Sequence, residues 1–245
     1  MIRAHLATFP PRRRILRRVT DAILPQVDRL FVVLNGYDSV PGFLARDPKV
    51  MAIIPDRDVK DAGKFWFPPA PEDIVFTIDD DIAYPPDYVA RSLALIGPMG
   101  FDGRAYGYQG NAFAPREGDG RPTWHNFLFH QPVGDVRGAT ILGTGTLVAR
   151  GDAIPPLAEV EPLAGSVDYA LGSWLHRRGI RPWVLPRAGN WLRNALPQNL
   201  RKTSLFATVH RARNPEHLAV LRSFARGAPH ANIRYADFDA QAFRA

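Results

Sequence analysis

Before Gly97 the chain alternates short, β-rich apolar runs with helix-like segments. "IRAHLAT" is followed by a helical stretch from Arg12 to Leu24, then by "RLFVVLN" and "KVMAII". A short helix around Ala62 to Phe67, the run "IVFTI" and the helical "PDYVARSLALI" complete the series. Parallel neighbours need long crossovers that are usually helical. The alternation therefore predicts an α/β fold with a mostly parallel central sheet and helices on its faces.

A chain of 245 residues that is 46% hydrophobic buries a core large enough for one such domain. We expect residues 1–245 to form a single unit, with 1–100 as one half and 101–245 as the other half and tail. The absence of cysteine excludes disulfide scaffolds, thiolate zinc sites and cysteine nucleophiles. No apolar run approaches the roughly 20 residues of a membrane span, and "MIRAHLATFPPRRR" has no apolar core of a signal peptide, so the chain reads as cytoplasmic.

The net charge of +7 comes far more from arginine than from lysine. This suits contact with phosphate groups, nucleic acid or an anionic membrane face. The first predicted helix carries an apolar stripe of Ile15, Leu16, Val19 and Ile23, while Arg12, Arg13, Arg14, Arg17 and Arg18 crowd its amino-terminal half. That basic end follows the first strand directly, on the edge where open α/β sheets bind ligands.

Beyond Gly97 the pattern becomes turn-rich: "RAYGYQG", "TWHNFLFH" and "ATILGTGTLVAR" read as strands of a small antiparallel region, with Gly118-Asp119-Gly120 as a hairpin tip. A helix "SVDYALGSWLHRRG" leads into a strand "IRPWVLP", and a last helix lies near "PEHLAVLRSFA". The five-residue separation of His125 and His130 puts them on opposite faces of a strand, which argues against a shared metal.

The sharpest local feature is "IVFTIDDD", an apolar strand running into Asp79, Asp80 and Asp81. Desolvating three adjacent carboxylates is costly unless a cation or hydrogen bonds answer them. With Pro85 and Pro86 ahead of a helical "DYVARSLALI", the triplet falls on a strand-to-helix loop. On an extended segment Asp79 and Asp81 face one way and Asp80 the other. Carboxylate oxygens suit Mg2+ or Mn2+, which would bridge them to a diphosphate.

The motifs "DAGKF" at 61–65, "FTIDDDIAYPPDYV", "ILGTGTLVAR" and "VDYALGSWLHRRGI" together resemble GT-A nucleotide-sugar glycosyltransferases, and more narrowly the bacterial domains associated with capsular and surface polysaccharides. The resemblance spans roughly residues 2 to 193. It implies a GT-A-like, Rossmann-like fold and a metal-dependent transfer of sugar from a nucleoside-diphosphate donor, UDP-linked as a first guess, to a saccharide or lipid-linked acceptor. It implies that Asp79 lies by the ribose, with a lesser claim on the metal, that Asp81 ligates Mn2+ or Mg2+, and that Asp80 lies behind them or near the donor sugar. Nucleoside contacts are implied at Thr8, Phe9, Pro10 and Arg12, with Asn35 at the edge of the pocket and Asp61 and Lys64 in the "DAGKF" segment. Gly143, Thr144 and Gly145 would let backbone approach the donor sugar; their competing reading is a strand bulge.

The same resemblance makes Asp168 the general base toward the acceptor hydroxyl. Many relatives carry Glu-Asp where this chain has Val167-Asp168, which leaves one candidate carboxylate; its alternative reading is a favourable contact with the helix dipole. His210 is implied as a further metal ligand, and Trp191 is a candidate to stack on an acceptor sugar.

Other readings of the same residues stay open. A magnesium-dependent phosphohydrolase or nucleotidyltransferase would also use clustered carboxylates, although Ile82 and Ala83 stand where a haloacid-type phosphatase has Gly-Thr. An arginine-rich nucleic-acid binder would explain the charge but not the triplet. The glycines of "LGTGTLVAR" lack the Gly-x-Gly-x-x-Gly spacing of a dinucleotide fingerprint. The arginine cluster also suits contact with anionic lipid.

Overall fold

A computed structural model describes residues 1–115, 122–203 and 215–242. Its strands are β1 Ile2–Thr8, β2 Arg29–Leu34, β3 Val50–Ile53, β4 Ile74–Ile78, β5 Ile82–Ala83, β6 Arg104–Gly107 and β7 Gly110–Pro115, followed by β8 Pro122–Phe127, β9 Arg137–Gly138, β10 Ile141–Leu142, β11 Val148–Arg150, β12 Arg181–Val184 and β13 Arg193–Asn194. The α-helices are α1 Arg13–Ile23, α2 Gly42–Ala45, α3 Tyr88–Ile96, α4 Leu157–Val160, α5 Val167–Arg177, α6 Pro215–Ala225 and α7 Tyr235–Ala242.

The main sheet runs β3-β2-β1-β4-β11-β6-β12-β9. β1 pairs in parallel with β2 on one side and β4 on the other, and β3 extends the parallel half. β1, β2 and β4 are covered on both faces, which is why they read as near-continuous apolar runs: Leu6, Leu30, Val32, Phe76 and Ile78 are all fully buried. β11 enters antiparallel to β4 and β6, so the second half of the sheet is mixed. A three-stranded antiparallel sheet, β10-β7-β8, lies apart from it, and β13 pairs with β5.

α1 follows its sequence pattern: Ile15, Leu16, Val19 and Ile23 are buried, and Arg13, Arg14, Arg17 and Arg18 are exposed. These four present a solvated basic face, whereas Arg12 just ahead of the helix is buried. The stretch near Ala62 forms a 3-10 turn over Lys60–Phe65 rather than an α-helix. Gly63 lets this turn press on the sheet, since a Cβ there would meet Val33 Cγ1 at 2.9 Å and Ala7 Cβ at 3.1 Å.

The expected strand across "ILGTGTL" is broken. β10 ends at Leu142 and β11 starts at Val148, with a turn between them closed by Thr146 N–H to the Gly143 carbonyl at 3.1 Å. The β-branched residues Thr144 and Thr146 gave this segment the look of a strand. The hairpin at Gly118-Asp119-Gly120 falls outside the described residues, but β7 and β8 on either side pair antiparallel as expected. No helix among the described residues is long and apolar enough to cross a membrane.

Candidate functional site

The carboxyl ends of the parallel strands converge with the Lys60–Phe65 turn on a cavity of about 860 Å³. Ligands bind at this edge of open α/β sheets. Thr8, Phe9, Pro10, Arg12, Asn35, Asp61, Lys64, Asp79, Asp80, Asp81, Gly143, Thr144, Gly145 and Asp168 all line it. They come from β1, the ends of β2 and β4, the 143–146 turn and the start of α5. The fold thus brings together residues that are up to 160 positions apart in the chain, from Thr8 to Asp168.

The triplet does not alternate as an extended strand would. β4 stops at Ile78, and Asp80 and Asp81 lie in a turn. Arg12 Nη1 therefore reaches both, donating to Asp80 Oδ1 at 3.3 Å and Asp81 Oδ2 at 3.0 Å, while Thr8 Oγ1 donates to Asp80 Oδ2 at 2.6 Å. Asp79 instead pairs with the Lys64 ammonium. Gly145 makes room for it, because a Cβ there would collide with the Asp79 carboxylate.

Lys64 also donates to Thr144 Oγ1 at 3.1 Å, and Thr144 donates to Asp168 Oδ1 through both its N–H and its hydroxyl, each at 2.8 Å. Two expected ligand contacts are occupied by structural bonds. Asn35 accepts from Val59 N–H and donates to the Lys60 carbonyl, both at 3.0 Å, bracing the loop that carries Lys60. Asp61 accepts from the N–H groups of Gly165 and Val167, where the amino-terminal end of α5 offers unpaired donors.

Burial shifts the acids of the cavity. It pushes Asp80 up to about 7, against the pull of Arg12 and the Thr8 hydroxyl. Burial and then the Asp79 charge raise Asp81, with Arg12 opposing. Burial likewise lifts Asp168, with Lys64 and the Thr144 hydrogen bonds opposing. Burial pulls the Lys64 ammonium down, but Asp79, Asp61 and Asp168 outweigh it and hold the group above its ordinary value.

Some cavity residues escaped sequence reading. Lys60, with φ 47, sits in the left-handed region within a loop that has no periodic pattern. Asn194 reaches the cavity because β13 pairs with β5 beside the triplet, a contact between distant segments with no local signature. His130 lines the cavity beyond the end of β8, whereas His125 lies on β8 with its ring 4.5 Å from that of Phe127. Trp191, expected as a sugar-stacking candidate, packs 5.0 Å from Tyr108 and 5.9 Å from Tyr88 and lies outside the cavity lining. Its N–H finds a partner in Asp87 Oδ1 at 3.1 Å, which is what a half-buried indole requires. His210 lies outside the described residues.

Among the described residues no group of three or more His, Cys, Asp or Glu could hold a metal ion by itself. A divalent ion shared with a diphosphate needs only one or two protein carboxylates, and Asp79 and Asp81 are near enough for the charge of one to raise the other. The cavity is lined by six aspartates, Asp58, Asp61, Asp79, Asp80, Asp81 and Asp168, against the cations Arg12, Lys60 and Lys64. Such a surplus repels an anionic diphosphate unless a cation accompanies it. The donor set therefore fits Mg2+ or Mn2+.

No protein-family model matches the sequence, and no curated protein matches it significantly. Solved structures do. The S. aureus TarS 1-349 structure is 11% identical, with a TM-score of 0.51, over 93% of this chain and 81% of that one. A mycobacterial protein is 17% identical, with a TM-score of 0.50, over 92% of this chain and 75% of that one. The architecture of this chain, an eight-stranded, mostly parallel sheet flanked by helices and accompanied by a small antiparallel sheet, is a GT-A-like fold.

Proposed function

We propose that the chain is a metal-dependent glycosyltransferase that moves a sugar from a nucleoside-diphosphate donor, with UDP-sugars the first to test, to a hydroxyl of a saccharide or lipid-linked acceptor. One observation carries this reading: the strand-end triplet Asp79–Asp81 and the helix-start Asp168 open on the same cavity and are joined through Lys64 and Thr144. The cavity volume is within the roughly 300–1,000 Å³ usual for small-molecule sites. The shared fold supports a nucleotide-dependent transferase only in outline.

In this reading Thr8, Phe9, Pro10 and Arg12 bound the nucleoside pocket, and Asp79 receives the ribose. Asp81, with Asp79, would hold Mn2+ or Mg2+, which supplies Lewis-acid stabilisation of the departing diphosphate. Asp168 takes the proton of the acceptor hydroxyl as that oxygen bonds to the anomeric carbon. The bond from that carbon to the diphosphate oxygen breaks, and its electron pair leaves with the nucleoside diphosphate. The burial that raises Asp168 makes it a stronger base than an exposed aspartate. The exposed Arg13, Arg14, Arg17 and Arg18, in the first two turns of α1 after the cavity-lining Arg12, suit peripheral contact with anionic lipid, which liposome co-sedimentation tests.

The deciding experiment is calorimetric binding of a panel of nucleotide-sugars with and without Mn2+, followed by mass spectrometry of the released nucleotide. At least one donor is expected to bind, more tightly with Mn2+, and Asp81→Ala to remove the Mn2+-dependent part. If no donor binds under either condition, the reading fails.

A further inference from the structure

We propose that Thr144 is a positioning residue that fixes the orientation of Asp168 for proton abstraction and ties it to the donor side through Lys64. This deepens the glycosyl-transfer reading and rests on it.

The direction of the hydrogen bonds is set. Lys64 can only donate, so Thr144 Oγ1 accepts from it at 3.1 Å and turns its own proton to Asp168 Oδ1 at 2.8 Å. The Thr144 N–H donates to the same oxygen at 2.8 Å. Both bonds converge on Oδ1, and Oδ2 has no hydrogen-bond partner among the described residues. One carboxylate oxygen is thereby pinned and the other is presented for an incoming proton. The charged groups facing Asp168 are Lys64, which favours its ionised form, and Asp79 and Asp61, which oppose it.

The turn that carries Thr144 is held at every residue. Gly143 N–H donates to the Gln109 carbonyl at 2.9 Å, and the Thr144 carbonyl accepts from Thr77 Oγ1 at 2.5 Å. The Gly145 carbonyl accepts from Tyr84 at 2.6 Å, and Thr146 Oγ1 accepts from the N–H groups of Tyr108 and Gln109 at 3.0 Å each. Branching at Cβ further restricts χ1 of Thr144. The hydroxyl thus sits on a rigid mount between the Lys64 ammonium and the Asp168 carboxylate, which a group that merely filled space would not require.

The test compares Thr144→Val, which keeps shape and loses the hydroxyl, with Thr144→Ser, which keeps the hydroxyl. Hydrolysis of UDP-glucose, UDP-galactose and UDP-N-acetylglucosamine with Mn2+ is followed as UDP release, with water as acceptor, and thermal melting checks the fold. Thr144→Val is expected to lower kcat by about 100-fold with the donor KM within about twofold. Thr144→Ser is expected to recover kcat to within about threefold of wild type. A wild-type kcat in Thr144→Val, or a Thr144→Ser as impaired as the valine variant, overturns the proposal. If the wild type hydrolyses none of the three donors, it is the glycosyl-transfer reading that suffers. A 13C carboxyl titration of Asp168 in the ligand-free protein then still tests Thr144. The midpoint is expected to rise in Thr144→Val and return in Thr144→Ser, and an unmoved midpoint also overturns the proposal.

Discussion

The two ends of the β1–β4 strand pair hold buried clusters of similar composition with opposite electrostatics. At the amino-terminal end are Arg3, His5 and Asp73; at the carboxyl-terminal end are Thr8, Arg12, Asp80 and Asp81. In the first, Arg3 donates to Asp73 at 3.0 Å, to the Phe67 carbonyl at 3.3 Å and to His5 Nε2 at 2.8 Å, and Ala70 N–H donates to Asp73 at 3.0 Å. Burial pushes the Asp73 carboxyl up, but Arg3 and the Ala70 N–H outweigh it and hold it below the ordinary value. In the second, burial prevails and lifts Asp80 to about 7, and Arg12 Nε has no hydrogen-bond partner among the described residues. Only the second cluster lines the cavity. A closed set of bonds braces the fold, and an unfinished one faces the cavity.

That contrast breaks if removing an acid at the cavity end harms stability more than turnover. Asp81→Ala is expected to lower nucleotide-sugar turnover by on the order of 1,000-fold, with the melting temperature little changed, because Asp81 is the more exposed partner of Arg12. Unchanged turnover would take Asp81 out of the site. Asp73→Ala should do the reverse. It strands the buried Arg3 guanidinium and costs about 3 kcal/mol of stability, read by denaturant unfolding, while folded protein keeps its turnover. An unaltered unfolding midpoint would dissolve the distinction between the two ends.

Gly145→Ala sharpens the contrast from within the site. Its new Cβ must displace the Asp79 carboxylate from Lys64. A shift of that kind is expected to reduce turnover by about 100-fold, with stability changed less than in Asp73→Ala. Equal turnover in wild type and variant would mean that the position of Asp79 is not critical.

The asymmetry between the ends also explains what the chain revealed on reading. The parallel half was legible because strands covered on both faces leave unbroken apolar runs such as "IVFTI", and the end of β4 was legible because the three carboxylates cut such a run off. The 143–146 turn was misread because its β-branched residues mimic a strand. Nothing local to "DAGKF" reveals Gly165 and Val167 as the partners of Asp61. The aromatic neighbours of Trp191, Tyr88 and Tyr108, lie far away in sequence and leave no local sign. Local pattern thus located strand ends, and long-range contacts decided which polar groups there remained open.

A last expected effect, spread over several pH units, links the two ends. His5 accepts from Arg3 through Nε2, so its proton sits on Nδ1 and is donated to the Lys64 carbonyl at 2.8 Å. The imidazole at the fold end thereby holds the backbone of a cavity residue. Burial, then the Arg3 charge, lowers the His5 pKa from 6.5 to about 3. Between these values the unfolded chain binds a proton that the folded chain refuses. The contribution of neutral His5 is therefore complete above about 6.5 and is lost as pH falls toward about 3. Across that window the stability of the wild type relative to His5→Gln should rise with pH by about 1.4 kcal/mol per unit. Glutamine can accept from Arg3 and donate to the Lys64 carbonyl without titrating, so the comparison isolates the proton from the hydrogen bonds. Parallel stability curves for the two proteins, measured by urea unfolding at successive pH values, would mean that His5 titrates normally and does not hold the Lys64 segment as a neutral ring.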